Sequence, residues 1–196
     1  MLPMPDFETT ISLEFGTIAD LIRLHAAQRP DNPALRDDSR TLSYKQLHEL
    51  MDQVASALQR DGLQLGSAIA ACAATSVEYA ALFLGALRAG VAMAPLAPSS
   101  TPTSLARMVQ DADAQLLFLD ATTESVLKEV TGVRRIALQG RGIGQSFEAW
   151  LAAPGTRPTP VQVEPGTPFN IIYSSGTTGE PKGIVQGHGM RWAHVQ

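Results

Sequence analysis

The chain has 196 residues, enough for one domain with a sizeable hydrophobic core or for two small ones. Hydrophobic residues make up 44% and charged residues 17%, the balance of a soluble globular protein. A net charge of −4, with Lys and Arg scattered, gives no general attraction to nucleic acid or anionic membrane, and one cysteine excludes an internal disulfide.

The amino-terminal stretch MLPMPDFETTISLEFG carries prolines and acids where a signal peptide needs basic residues and then an apolar run. Thr17 opens TIADLIRLHAAQRP, a helix with Ile18, Leu21, Ile22 and Ala26 on one face and Pro30 as its stop. PALRD and RTLS are short extended pieces around a polar turn. Ser43 and Gln46 have capping-box spacing, and Leu47, Leu50, Met51, Val54, Ala55 and Leu58 then follow a helical period to Gly62.

SAIAACAA is a buried strand made of small residues, and Cys72 within it is expected as a core residue rather than a nucleophile. Thr75 and Glu78 have the spacing of a second capping box, leading into the almost wholly apolar helix VEYAALFLGALRA. VAMAPL is the next strand. The apolar region from Ala68 to Ala97 is no membrane span, because Glu78, Arg88, Gly90 and Pro95 interrupt it.

Leu105, Met108, Val109 and Ala112 mark another helix face, QLLFLD a strand, SVLKEV a short helix and VRRIAL a strand. GRGIG fails as a dinucleotide fingerprint, since Gln145 stands where the last glycine belongs, and it reads as a surface loop. Residues 154–168 hold five prolines and two glycines, which predicts an exposed, semi-rigid connection. FNIIYSS then returns as a strand, and GIVQ is expected as a strand beyond the loop between them. The expected fold is α/β, a mainly parallel sheet with helices on both faces.

That loop lies in YSSGTTGEPKG, residues 173–183, with three glycines, four Ser and Thr hydroxyls, one proline and one lysine. It is not a Walker A loop, because Pro181 occupies the place of the second glycine. Its residue types still suit phosphate. Gly176, Gly179 and Gly183 let successive backbone N–H groups turn toward an anion. Ser174, Ser175, Thr177 and Thr178 add hydroxyl donors that can also serve a metal, and Lys182 adds a charge on a flexible stem. Composition alone balances this against a hairpin loop with no ligand.

YSSGTTGEPKGIVQGH resembles the signature loop of the AMP-forming adenylating superfamily, which includes acyl-CoA synthetases, aryl-CoA ligases, peptide-synthetase adenylation domains and luciferases. TLSYKQLHELMDQVASALQRDGLQLG and EYAALFLGALRAGVAMAPLAPSSTP resemble the segments that precede the loop in those enzymes. The resemblance implies the N-terminal part of the adenylating-enzyme large domain over residues 1–196, with the connection at 154–168 and the phosphate loop at 173–183. It also implies joining a carboxylic acid, a fatty acid first and an aromatic acid second, to ATP, followed by transfer of the acyl group to coenzyme A. By residue match, Ser174, Ser175, Gly176, Thr177, Thr178, Gly179 and Lys182 hold the ATP phosphates, with Thr177 and Thr178 toward Mg²⁺ and Lys182 as the catalytic residue.

His188 stands where the family often has a histidine, so a structural or substrate-proximal role is expected. His188 and His194 fall on different helical faces and share no metal. His25 and His48 read as polar-face or boundary residues. The family continues for several hundred residues past this loop, and Gln196 ends a nascent helix uncapped. The sequence is therefore expected to be an N-terminal piece that is inactive alone, cytoplasmic, without a transmembrane segment, and prone to self-association through exposed apolar surface. The competing readings are a non-catalytic nucleotide-binding or interaction module and a folded remnant without function.

Overall fold

The computed structural model describes residues 6–128, 130–139, 144–175 and 181–196. A short helix, α1 (Phe7–Ile11), precedes α2 (Ile18–Gln28), whose N-cap Thr17 accepts from the Asp20 amide. The antiparallel pair β1 (Pro33–Arg36) and β2 (Thr41–Ser43) leads into α3 (Tyr44–Arg60). Both halves of the Ser43–Gln46 capping box are made, which satisfies two otherwise orphaned donors at the start of α3.

The main sheet contains β3 (Ala68–Cys72), β4 (Ala92–Pro95), β5 (Ala114–Asp120), β6 (Arg134–Gln139), β7 (Gln145–Ser146), β8 (Pro168–Ser175) and β9 (Pro181–Gly187). Its order is β7-β6-β5-β3-β4-β8-β9, and all neighbours are parallel except the β8–β9 hairpin. The intervening helices are α4 (Val77–Arg88), α5 (Pro102–Asp111) and α6 (Phe147–Trp150), and α7 (His188–Val195) follows the hairpin.

Strand alternation divides the core into two layers. Ile69, Ala71, Leu116 and Phe118 face α3, α4 and α6, whereas Ala70, Cys72, Leu117 and Leu119 face α5 and the turns after β5. Helices therefore cover both faces, as the strand–helix alternation of the sequence requires. A third cluster, with Ile22, Leu47, Met51 and Ala81, fastens α2 outside α3 and α4.

The chain leaves β7 at one edge and must return to β8 beyond β4. That crossing spans five strand spacings, about 24 Å. Residues 151–167 make it as a largely exposed strap, and their prolines hold it extended. The Gln59 side-chain amide pins the strap by donating to the Thr159 carbonyl and accepting from the Thr159 N–H, both at 2.8 Å.

Two local expectations are corrected. Ser76, not Thr75, is the N-cap of α4 and accepts from the Tyr79 amide. Glu78 is free of that duty and reaches Arg40 and Gln139 instead. Residues 121–128, which include most of SVLKEV, form hydrogen-bonded turns rather than a helix. Asp120 and Thr123 bend the backbone there into local hydrogen bonds that compete with helical ones. Among the described residues no helix is long and apolar enough to cross a membrane.

Candidate functional site at the β8–β9 hairpin

Parallel strands end on a common rim, and ligands of open α/β sheets sit beyond the carboxyl ends of the strands. β8 ends on this rim with Tyr173, Ser174 and Ser175, and β9 starts back from it with Pro181 and Lys182. Ser174 pairs with Lys182 across the hairpin, Ser175 with Pro181 and Tyr173 with Gly183. Ser174 and Lys182 are both exposed, and no carboxylate among the described residues pairs with the Lys182 ammonium. Gly176, Thr177, Thr178 and Gly179 lie outside the described residues.

The other face of this hairpin is fixed. Tyr173 Oη lies 2.7 Å from Asp111 Oδ2 and 3.0 Å from the Met108 carbonyl, two acceptors for its one proton. Ile171 and Tyr173 pack against the layer that holds Leu105 and Val109 of α5. Burial, and then the bond to Asp111, push the Tyr173 phenol well above its usual range, so it stays a donor. Sequence reasoning did not single out Asp111. The available signal was an acid at the last residue of a helix, where the macrodipole disfavours negative charge unless something offsets it.

The described donor set, the exposed Ser174 hydroxyl and Lys182 ammonium, suits a polyphosphate that brings its own metal. Hydroxyl oxygens are the hard ligands that Mg²⁺ accepts, and no cluster of His, Cys, Asp or Glu among the described residues could hold a metal ion. Asp120 is on the same rim but is already engaged. It accepts from the amides of Ala74, Thr122 and Thr123 and from the Thr122 hydroxyl. Burial alone would raise its pKa, yet those hydrogen bonds bring it below the usual carboxylate range. The side chain ties β3 to β5 rather than facing a ligand.

His188 is buried as the first residue of α7, edge-on to Phe169, with Nε2 unpartnered. Burial lowers its pKa to about 4, so it is neutral near pH 7 and serves packing. His194 is exposed, and the two share no site. His48 is half-buried beside Arg88 and Asp52, and its pKa is lowered by burial first and then by the Arg88 charge. His25 stacks on Phe7 and meets the Tyr44 ring edge-on. Cys72 is fully buried, with its thiol pushed up to about 11 by burial, which suits a core residue and not a nucleophile.

Two larger grooves, of 620 and 710 Å³, lie along the outer helices and the strap, away from the hairpin. They share Arg23, His48, Asp52 and Arg157, and most of that charge is internally paired: Arg88 with Asp52, and Arg23 with Asp20. The rim remains the candidate site.

A family profile described as AMP-binding enzyme matches residues 22–195. The fatty acid–[acyl-carrier-protein] ligase ScoC of Streptomyces coeruleorubidus is 33% identical over 176 residues, covering 89% of this chain and 34% of that protein. The 3-hydroxybenzoate–CoA ligase of an Aromatoleum strain is 28% identical over 168 residues, covering 81% of this chain and 32% of that protein. Among solved structures, the acyl-CoA synthetase of Brucella canis superposes with a TM-score of 0.80 at 24% identity, over 97% of this chain and 38% of the other, a likeness of fold. The chain spans about a third of the length of these curated relatives.

Proposed function

The chain belongs to the AMP-binding enzyme family, and on that premise we propose that it carries the phosphate-binding hairpin of an ATP-dependent acid–thiol ligase. Residues 1–196 form the N-terminal part of the nucleotide-binding large domain, and residues 173–183 are its phosphate loop. Ser174, Ser175, Gly176, Thr177, Thr178, Gly179 and Lys182 hold the phosphates of ATP, with the hydroxyls of Thr177 and Thr178 directed to Mg²⁺. The metal, when bound, supplies charge neutralisation for the departing pyrophosphate. Lys182 adds a positive charge that gains strength as negative charge builds on that leaving group.

The observation that carries this reading is the exposed Ser174–Lys182 pair at the carboxyl rim of a parallel sheet. The acid is a carboxylic acid activated as its acyl adenylate, and a fatty acid is the first choice because ScoC acts on one by name. Coenzyme A is the acceptor we favour. An acyl carrier protein is the second reading, supported by the name of the same relative.

Isothermal titration of Mg–ATP tests the nucleotide half. Acid-dependent exchange of labelled pyrophosphate into ATP, in a protein containing this chain, tests the chemistry, with straight-chain fatty acids and aromatic acids compared. Exchange with fatty acids is the expected result. ATP binding without exchange under any acid would favour a non-catalytic module, and no ATP binding would overturn the reading.

A further inference from the structure

Three elements meet one rung below the Ser174–Lys182 pair. Asp111, the last residue of α5, directs its carboxylate onto the hairpin at the level of the Tyr173–Gly183 rung and accepts the Tyr173 hydroxyl at 2.7 Å. Gly183 makes room for this. A Cβ there would stand 2.9 Å from Asp111 Oδ2, 3.1 Å from Ile171 Cγ2 and 3.2 Å from Tyr173 Cε1. Any side chain at residue 183 would force the carboxylate, the ring or the strand to move.

Alternation along the strands puts Tyr173 and Gly183 on the α5 face of the hairpin, and Ser174 and Lys182 on the opposite face. Among the described residues β9 is an edge strand paired only with β8; α5 packs on it near the rim, and α7 holds its far end through Arg191 and Gln186. Groups that bind phosphate must be held to within about 0.5 Å, which calls for support from the side away from the ligand.

We propose that Asp111 is a positioning residue of the phosphate hairpin, acting through Tyr173 and over Gly183 to set the placement of Ser174 and Lys182. It touches no ligand. The proposal rests on reading the hairpin as the ATP phosphate site, and it adds a residue from a different element, remote in sequence from the loop.

The test compares Asp111→Asn, Asp111→Ala, Tyr173→Phe and the Asp111→Ala/Tyr173→Phe pair for Mg–ATP affinity, thermal midpoint, and amide hydrogen exchange at residues 182–184. Asparagine keeps an acceptor for the phenol, so Asp111→Asn should bind as wild type does. The Ala and Phe variants should each bind about five- to tenfold more weakly, as expected for one lost hydrogen bond. The double variant should be no weaker than either single, because both changes break one unit. A purely structural role would lower the thermal midpoint and leave the affinity of the folded protein unchanged.

Binding by the Ala or Phe variant within twofold of wild type overturns the proposal, as does an Asn variant as weak as the Ala one. Absence of Mg–ATP binding by the wild type strikes the functional reading instead. Hydrogen exchange then still judges the clamp: faster exchange at residues 182–184 in the Ala and Phe variants upholds it, and unchanged exchange overturns it.

Discussion

Lys182 is exposed at the rim, whereas His188, just past the far end of the same strand, is buried and neutral near pH 7. The two make different predictions. Removing a donor that meets a developing negative charge costs about 3 kcal/mol, on the order of a hundredfold in rate. Lys182→Ala should therefore slow adenylate formation on that scale while leaving thioester formation from preformed acyl adenylate much less affected. Equal slowing of both half-reactions would remove Lys182 from the role assigned to it. For His188 the folded-state pKa of about 4 lies below the ordinary 6.5, so the native state resists protonation. Its contribution is complete above pH 6.5 and is lost as pH falls toward 4, amounting to ~3 kcal/mol. Urea midpoints measured across that window should fall for wild type and fall less for His188→Phe; parallel slopes would contradict this.

At the scale of elements, the closest packing in the helical layer is α3 against α4. A Cβ on Gly85 would stand 2.5 Å from Val54 Cβ and 2.6 Å from Val54 Cγ1. Gly85→Ala should destabilise by about 1–3 kcal/mol through overpacking, outweighing the ~1 kcal/mol that alanine adds in helix propensity. Val54→Ala in the same chain should recover only part of that loss in a denaturant titration, because it removes the Cγ1 contact and keeps the Val54 Cβ. If Gly85→Ala is neutral alone, the helices do not pack as described. Local sequence was a good guide where the signal was local: the Ser43–Gln46 box and the period from Leu47 to Leu58 gave α3 almost to the residue. It was a poorer guide where two caps competed. Ser76 and Thr75 both offer a hydroxyl, and placement of α4 on the sheet decided for Ser76. The strand β7 had no signal, because two residues owe their strand geometry entirely to pairing with β6.

For the whole molecule, the two sheet edges differ. One ends in the two-residue β7, too short to recruit another strand; the other ends in the seven-residue β9, with Ile184 52% and Val185 59% exposed on its opposite faces. Open edges with apolar side chains favour association. The chain by itself should thus form concentration-dependent dimers or larger species in sedimentation velocity. The double change Ile184→Lys/Val185→Lys should shift it toward monomer. Identical monomeric behaviour of both at high concentration would show that β9 is no association surface.

The sequence alone carried the strand–helix alternation and the two-sided α/β sheet, and it singled out residues 173–183 by residue type, because periodicity and residue type are local properties. It named Ser174 and Lys182 among seven loop residues, and the hairpin register made them a pair. Tertiary structure decided which strands are neighbours, since β8 pairs with β4, more than seventy residues earlier. It also decided that His188 is buried and that Asp111 belongs with Tyr173. These facts depend on how α5 and α7 dock against the hairpin, and docking is set by the shape of surfaces that only the assembled sheet creates.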